Sequence, residues 1–227
     1  MNDTLLTALA LIPALVIAIV LHEVAHGWTA LALGDPTARE RNRLSFNPVR
    51  HVDPIGTLIL PGALLLSGLP AFGWAKPVPV IKSRLRNPRF GMMAVAAAGP
   101  GTNLALAVIG AVALGLLARG GAAPAGLTGF AIASLYSFIL INVFLALFNL
   151  LPLPPFDGSH IVEGLLPQRA ARVYEKLRPF GFPLLFLLLL VIPYFFPGLG
   201  IVERVVLPPV VWTQDRFLAI AGWVAGG

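Results

Sequence analysis

Two imidazoles stand four positions apart with a carboxylate between them in His22-Glu23-Val24-Ala25-His26. On a helix, positions four apart share a face, one turn above the other. Both rings can then reach one metal ion, and Glu23 can act on a water held at the same point. The bland alternative is a pair of histidines packed on a helix face. The surroundings argue against it. Three ionisable groups within five residues interrupt an apolar run. A charged side chain at the bilayer centre costs about 2.5–3.5 kcal/mol.

The sequence has no cysteine, so the ligands of any metal must be His, Asp or Glu. A catalytic zinc takes three protein ligands and keeps one position open. Asp157 is the candidate third ligand. It follows Asn149-Leu150-Leu151-Pro152-Leu153-Pro154-Pro155-Phe156 and precedes Gly158. Prolines remove amide donors and stiffen the backbone, so this strip can hold one carboxylate at a fixed angle. Taken alone, Asp157 reads as the N-cap of a helix starting near Ser159. Beside a two-histidine site that lacks a ligand, the ligand role is favoured.

These groups must be positioned by membrane-embedded elements. Of the 227 residues, 57% are hydrophobic and only 11% are charged, against about 25% in a soluble domain. The mean hydropathy is +0.85. Residues 4–21, 90–118 and 120–156 contain no Asp, Glu, Lys or Arg. Runs of that length read as membrane spans. A soluble enzyme, a disordered chain and a nucleic-acid-binding domain are excluded. The net charge of +6 comes from clusters at 39–50, 76–89 and 169–178, all between apolar runs. That placement suits cytoplasmic loops beside an anionic leaflet. The first run lacks a basic leader and a small-residue cleavage pattern, so no cleavable signal peptide is expected.

The expected fold is an all-α polytopic membrane protein with four full spans, at about 5–33, 91–117, 127–151 and 180–196. Residues 161–178 are polar enough for the interface. Residues 55–72 are apolar but broken by Pro61-Gly62, Gly68 and Pro70, with basic clusters on both sides. A full crossing would put one cluster outside, so a re-entrant element is expected. Residues 73–81, with Pro77 and Pro79, read as either an extended edge segment or a plain loop. The tail from residue 200, with Pro208-Pro209, reads as broken and interfacial. The whole of 1–227 is taken as one membrane-embedded domain, with a core at 5–178 and a C-terminal span and tail at 179–227.

The two motifs together resemble the site-2 protease family of intramembrane zinc metalloproteases. That family has H-E-x-x-H in one core helix and N-x-x-P-x-P-x-x-D-G at the start of a later one, matched here by His22–His26 and by Asn149, Pro152, Pro154, Asp157 and Gly158. The resemblance implies one zinc per chain on His22, His26 and Asp157, and Glu23 as general base. It implies a transmembrane protein substrate cleaved within or near its spans, a lipid bilayer around the enzyme, and no nucleic acid. The family's PDZ and CBS modules find no room, so a minimal member is expected, and the sequence names no regulatory partner. Gly99-Pro100-Gly101-Thr102-Asn103 resembles a family G-P-x-x-N element.

Asn103 reads equally as a donor to the oxyanion or substrate backbone and as an interhelical hydrogen bond. Asn142 reads as helix packing. His160 and Asn149 are candidates for supporting the ligands, with His160 alternatively at the water path. His51 reads as a loop histidine. The charge pattern places the active site toward the cytoplasm, and the Arg-over-Lys, Ala/Gly/Leu bias suggests a bacterial plasma membrane. The rival function is a metal-ion or proton transporter, which would need ionisable groups on several helices. An inert scaffold would not need Glu23.

Overall fold

The computed structural model describes residues 3–68, 73–119, 126–196 and 202–227. The Gly/Ala/Pro loop after Arg119, the end of the 55–72 element and the start of the tail lie outside them. The described residues form α1 (Asp3–Ala32), α2 (Thr37–Glu40), α3 (Leu60–Leu66), α4 (Pro88–Ala118) and α5 (Gly126–Asn149). There follow α6 (Asp157–Leu165), α7 (Gln168–Glu175), α8 (Gly181–Phe186), α9 (Ile192–Phe195) and α10 (Leu207–Ala225). No strand occurs among the described residues. The protein is an all-α polytopic membrane protein. Four stretches are long and apolar enough to cross a bilayer: Leu9–Ala32, Pro88–Ala118, Gly126–Asn149 and Gln168–Phe195.

Small residues at four-residue spacing bring α1 and α4 together. On α1 the buried stripe is Ala10, Ala14, Ala18, His22, His26 and Ala30. On α4 it is Val95, Gly99, Asn103, Ala107 and Ala111. Without large side chains between them, two backbones approach closely, which is how helices associate in lipid. The two histidines thus replace two alanine-sized positions in a packing seam. Further along the same stripe of α4, Ala107 and Ala111 join Ile139 and Val143 of α5 and Val210 and Ala221 of α10 in one apolar cluster.

That cluster corrects the expectation for the tail. Its prolines do not break it, because Pro208 and Pro209 fall in the first turn of α10, where the amides have no helical acceptor. The helix then runs to Ala225 and lies directly on α4. A Cβ on Gly115 would collide with the Ala221 carbonyl and approach Val224 Cβ to 2.7 Å.

The re-entrant expectation for 55–72 has a structural counterpart. Asp53 caps the segment, accepting from the amides of Ile55 and Gly56 at 3.0 and 2.7 Å. The apolar helical stretch is only Pro54–Leu66, about 20 Å long against a hydrocarbon core of about 30 Å. Its two flanks meet at one end of α1. Arg84 pairs with Glu40 at 2.7 Å, and the Arg86 amide donates to the Leu33 carbonyl at 2.9 Å. Asp35, fully buried, accepts from the amides of Thr37 at 3.0 Å and Ile81 at 2.6 Å. Burial alone would push the Asp35 carboxyl up, but the Thr37 hydroxyl, these two amides and the nearby Arg84 outweigh it and hold it below the usual carboxylate range.

Candidate active site

His22 Nε2, His26 Nε2 and Asp157 Oδ2 converge on one point. The two nitrogens are 3.0 Å apart, and the carboxylate oxygen lies 3.1 Å from the first and 3.3 Å from the second. Donors at about 2.0–2.2 Å around a tetrahedral ion lie about 3.3 Å apart. The outer nitrogens are already committed. His22 Nδ1–H donates to Asn103 Oδ1 at 2.6 Å, and His26 Nδ1–H donates to the Val95 carbonyl at 2.7 Å. A carbonyl accepts only, so the His26 hydrogen sits on Nδ1. Two facing Nε2 atoms at 3.0 Å cannot both carry hydrogens. Asp157 Oδ2 is buried with no hydrogen-bond donor. Three lone-pair donors therefore face one another, and a metal cation satisfies all three at once. Histidine ligands characteristically donate their other N–H to such acceptors.

The backbone explains how Asp157 arrives there. It is the first residue of α6; the cap position is Phe156, and no side-chain cap bond forms. The N-cap reading is thereby set aside, and the carboxylate turns to the histidines. The strip before it is pinned from two sides. Tyr174 of α7 donates to the Pro152 carbonyl at 2.6 Å, and Gly181 of α8 lets the chain rest on Pro154. Gly158 has no space for a side chain, because its Cβ would strike the Leu150 and Leu151 carbonyls.

Helix α4 forms the wall behind the histidines. A Cβ on Gly99 would sit 2.5 Å from His26 Nε2 and 2.6 Å from His22 Nε2. Pro100 follows within the helix and loosens this turn, since it cannot donate to the carbonyl four residues back. Val95, which receives His26, belongs to the same turn. One turn on, Asn103 is fully buried. Its amide donates to Ala18 O at 3.2 Å and to Asn142 Oδ1 at 2.9 Å, and Asn142 donates to Phe138 O at 2.8 Å. Both Asn103 hydrogens are thus in use. Of the two readings of Asn103, the interhelical hydrogen bond is the one the structure draws: it accepts from His22 and joins α1, α4 and α5.

Glu23 lies beside this centre, and its Oε2 accepts from the Val78 amide at 2.7 Å. Val78 belongs to the segment 73–81, here called the strap, which has no helical structure and no ladder partner among the described residues. Over residues 74–78 its even-numbered positions hold the protein, and at the far end the Ile81 amide is taken by Asp35. The Trp74 amide donates to Gly56 O at 3.1 Å and the Lys76 amide to His51 O at 2.9 Å. Thr57 donates to the Trp74 carbonyl and Arg43 to the Lys76 carbonyl. On the odd-numbered positions, the Ala75, Pro77 and Pro79 carbonyls have no partner among the described residues.

The other candidates lie off the convergence point. Asn149 donates to Leu145 O of its own helix at 2.9 Å. His160 Nδ1 accepts from Arg178 at 2.9 Å; burial and the Arg178 charge push its pKa down to about 4. Its neighbour Glu163 pairs with Lys82 at 2.5 Å and also with Arg178. These charges join α6 to Lys82, just past the strap, and to Arg178, just before α8. His51 is buried and its Nε2–H donates to Ser45 O at 2.7 Å. Sequence reasoning missed Val95 and Val78, and named Gly99 only within the G-P-x-x-N element, without its contact with the histidines.

Spans, seam and three converging ligand atoms define a multi-pass membrane protein of the metallopeptidase class. The pattern of "Peptidase family M50" matches residues 118–192. A Bacillus subtilis protein named "Putative zinc metalloprotease YwhC" is 38% identical over 198 residues, covering 85% of this chain and 87% of that one. A Mycolicibacterium smegmatis protein named "Putative zinc metalloprotease Rip2" is 29% identical over 170 residues, covering 75% of this chain and 62% of that one. No solved structure matches the chain. The chain belongs to peptidase family M50, the site-2 protease family.

Proposed function

We propose that this chain is a zinc endopeptidase that cleaves membrane-protein substrates within or near their transmembrane segments, with His22, His26 and Asp157 as ligands and Glu23 as general base. The observation that carries the reading is the triangle of His22 Nε2, His26 Nε2 and Asp157 Oδ2, with its orphaned oxygen. Zinc bound there would lower the pKa of a water toward about 7 and polarise the scissile carbonyl. Glu23 takes the proton of the attacking water and returns it to the leaving amine. Asn103 and the Val95 carbonyl hold the ligand rings in register, and the apolar seam around them limits access of bulk water.

A substrate helix has its carbonyls locked in hydrogen bonds and must unwind before attack. The open carbonyls of the strap favour an extended substrate laid beside it as an added strand. The Arg-rich flanks at the end of α1 that follows the histidines favour a cytoplasmic active site, by the positive-inside bias. In this reading the cleavage serves regulated intramembrane proteolysis. The transport reading is weaker. Among the described residues, the buried polar groups of α4 and α5 are the non-ionisable Asn103 and Asn142, which make no proton or ion path.

The test is Glu23→Gln, which keeps size and removes the basic carboxylate. Zinc content should stay near one per chain, while cleavage of a co-expressed single-span substrate falls about 10²–10⁴-fold. Parental cleavage by the variant would refute the mechanism.

A further inference from the structure

The segment Pro77-Val78-Pro79 offers one backbone hydrogen-bond donor, because proline nitrogens carry none. That donor is the Val78 amide, and it points at Glu23 Oε2 from 2.7 Å. The approach is built into α1. A Cβ on Gly27 would meet Val78 Cγ1 at 3.0 Å, so glycine there lets the strap seat against the helix one turn past Glu23. The Val78 side chain is itself buried. The flanking prolines fix φ on either side, which holds the amide direction steady. The preceding even position, Lys76, is anchored twice, by its N–H on His51 O and by Arg43 on its carbonyl at 2.6 Å.

We infer that the Val78 amide is the positioning group for Glu23: it fixes one carboxylate oxygen and so turns the other toward the reacting water. This rests on the reading of Glu23 as general base. A glutamate on a helix has three rotatable bonds, and a base must sit within hydrogen-bond reach of the proton it takes. A single amide on one oxygen removes most of that freedom. It also joins the base to the strap. If the strap receives the substrate on its odd-numbered carbonyls, the same backbone holds the substrate on one side and the base on the other.

The contact is tested first without zinc or turnover. Labelling proline carbonyl carbons with ¹³C and valine nitrogens with ¹⁵N leaves four Pro-Val amide signals, from Val49, Val78, Val80 and Val210. The signal missing in Val78→Ala is that of Val78. In detergent-solubilised, metal-free protein it should lie downfield and shift upfield in Glu23→Ala, with the other three unmoved. An unmoved Val78 signal overturns the proposal.

Its catalytic consequence is tested by replacing Val78 with its α-hydroxy analogue, which exchanges the N–H for an ester oxygen and keeps the side chain. A hydrogen bond to a charged group of this kind predicts a fall in kcat of about 10–100-fold, with KM and zinc content unchanged. Unchanged kcat, faster cleavage, or loss of zinc would each overturn the positioning role. Glu23→Gln is run beside it. Cleavage indifferent to that change would sink the base assignment itself, even where the spectrum still reports the contact.

Discussion

Asn103 accepts the Nδ1–H of His22 at 2.6 Å, and this contact decides which nitrogen of His22 faces Asp157. The amide cannot turn over, because its NH₂ group is held by Ala18 O and Asn142 Oδ1. A chain of hydrogen bonds from α5 through α4 thus sets the tautomer of a residue on α1. Asn103→Leu should fill the site without an acceptor and lower zinc affinity about 10–100-fold, the usual cost of losing such a partner. Competition against a chelator measures it; unaltered affinity would contradict the role.

The three converging side chains predict a steep dependence of metal content on each. His22→Ala, His26→Ala and Asp157→Ala should each lower zinc occupancy sharply, since each removes one of three protein ligands. Elemental analysis of purified protein reads the result. Normal zinc in all three single variants would remove the assignment.

Gly99→Ala adds one methyl group, yet it should act like a ligand deletion. Its Cβ would stand 2.5–2.6 Å from the two Nε2 atoms, and the rings cannot swing away without losing Asn103 and Val95. Zinc content should fall while helicity by circular dichroism is kept. Retained zinc would show that the wall behind the histidines yields.

Asp35 predicts a pH effect. Its folded pKa is depressed, so its stabilisation is fully present above the unfolded value of about 3.9 and lost as pH falls through the folded one. Asp35→Asn should cost about 1–3 kcal/mol at pH 7 by disturbing the amides of Thr37 and Ile81. The gap in melting temperature between parent and variant should narrow below about pH 4. A gap that stays constant down to pH 3 would contradict the assignment.

Topology is open to labelling. Cysteines placed beside Arg41, Arg84 and Arg172 should react from one side of the membrane, and one beside Arg119 from the other. Opposite sides for Arg41 and Arg84 would conflict with the Arg84–Glu40 pair and make 55–72 a full crossing.

How much of this was legible varies with the range of the interaction. The i,i+4 histidines needed only helix periodicity, and the Pro-rich strip before Asp157 needed only the stiffness of proline. The re-entrant expectation for 55–72 rested on charges on both flanks, and the short helix Pro54–Leu66 agrees with it. Asn103 was ambiguous because its sequence context is local, while the groups that occupy its hydrogens, Ala18 O and Asn142, lie 85 and 39 residues away. The tail was misread because Pro208-Pro209 looks like a break; only the seam against Gly115 and Ala221 shows it as a helix start. The amide of Val78 was invisible for a plainer reason, since backbone groups leave no letter in the sequence.

The alternation along the strap has one more consequence. Over residues 75–79 its outward side carries carbonyls at Ala75, Pro77 and Pro79 but only the Ala75 amide, so this stretch is nearly all acceptor. Two such edges brought together would set oxygen against oxygen. An exposed backbone edge usually invites copies of the same chain to pair; this one offers its own likeness only oxygen. If the strap takes a substrate strand, that strand must bring the amides. A peptide with proline or an N-methylated residue opposite Pro77 or Pro79 would arrive with nothing to give.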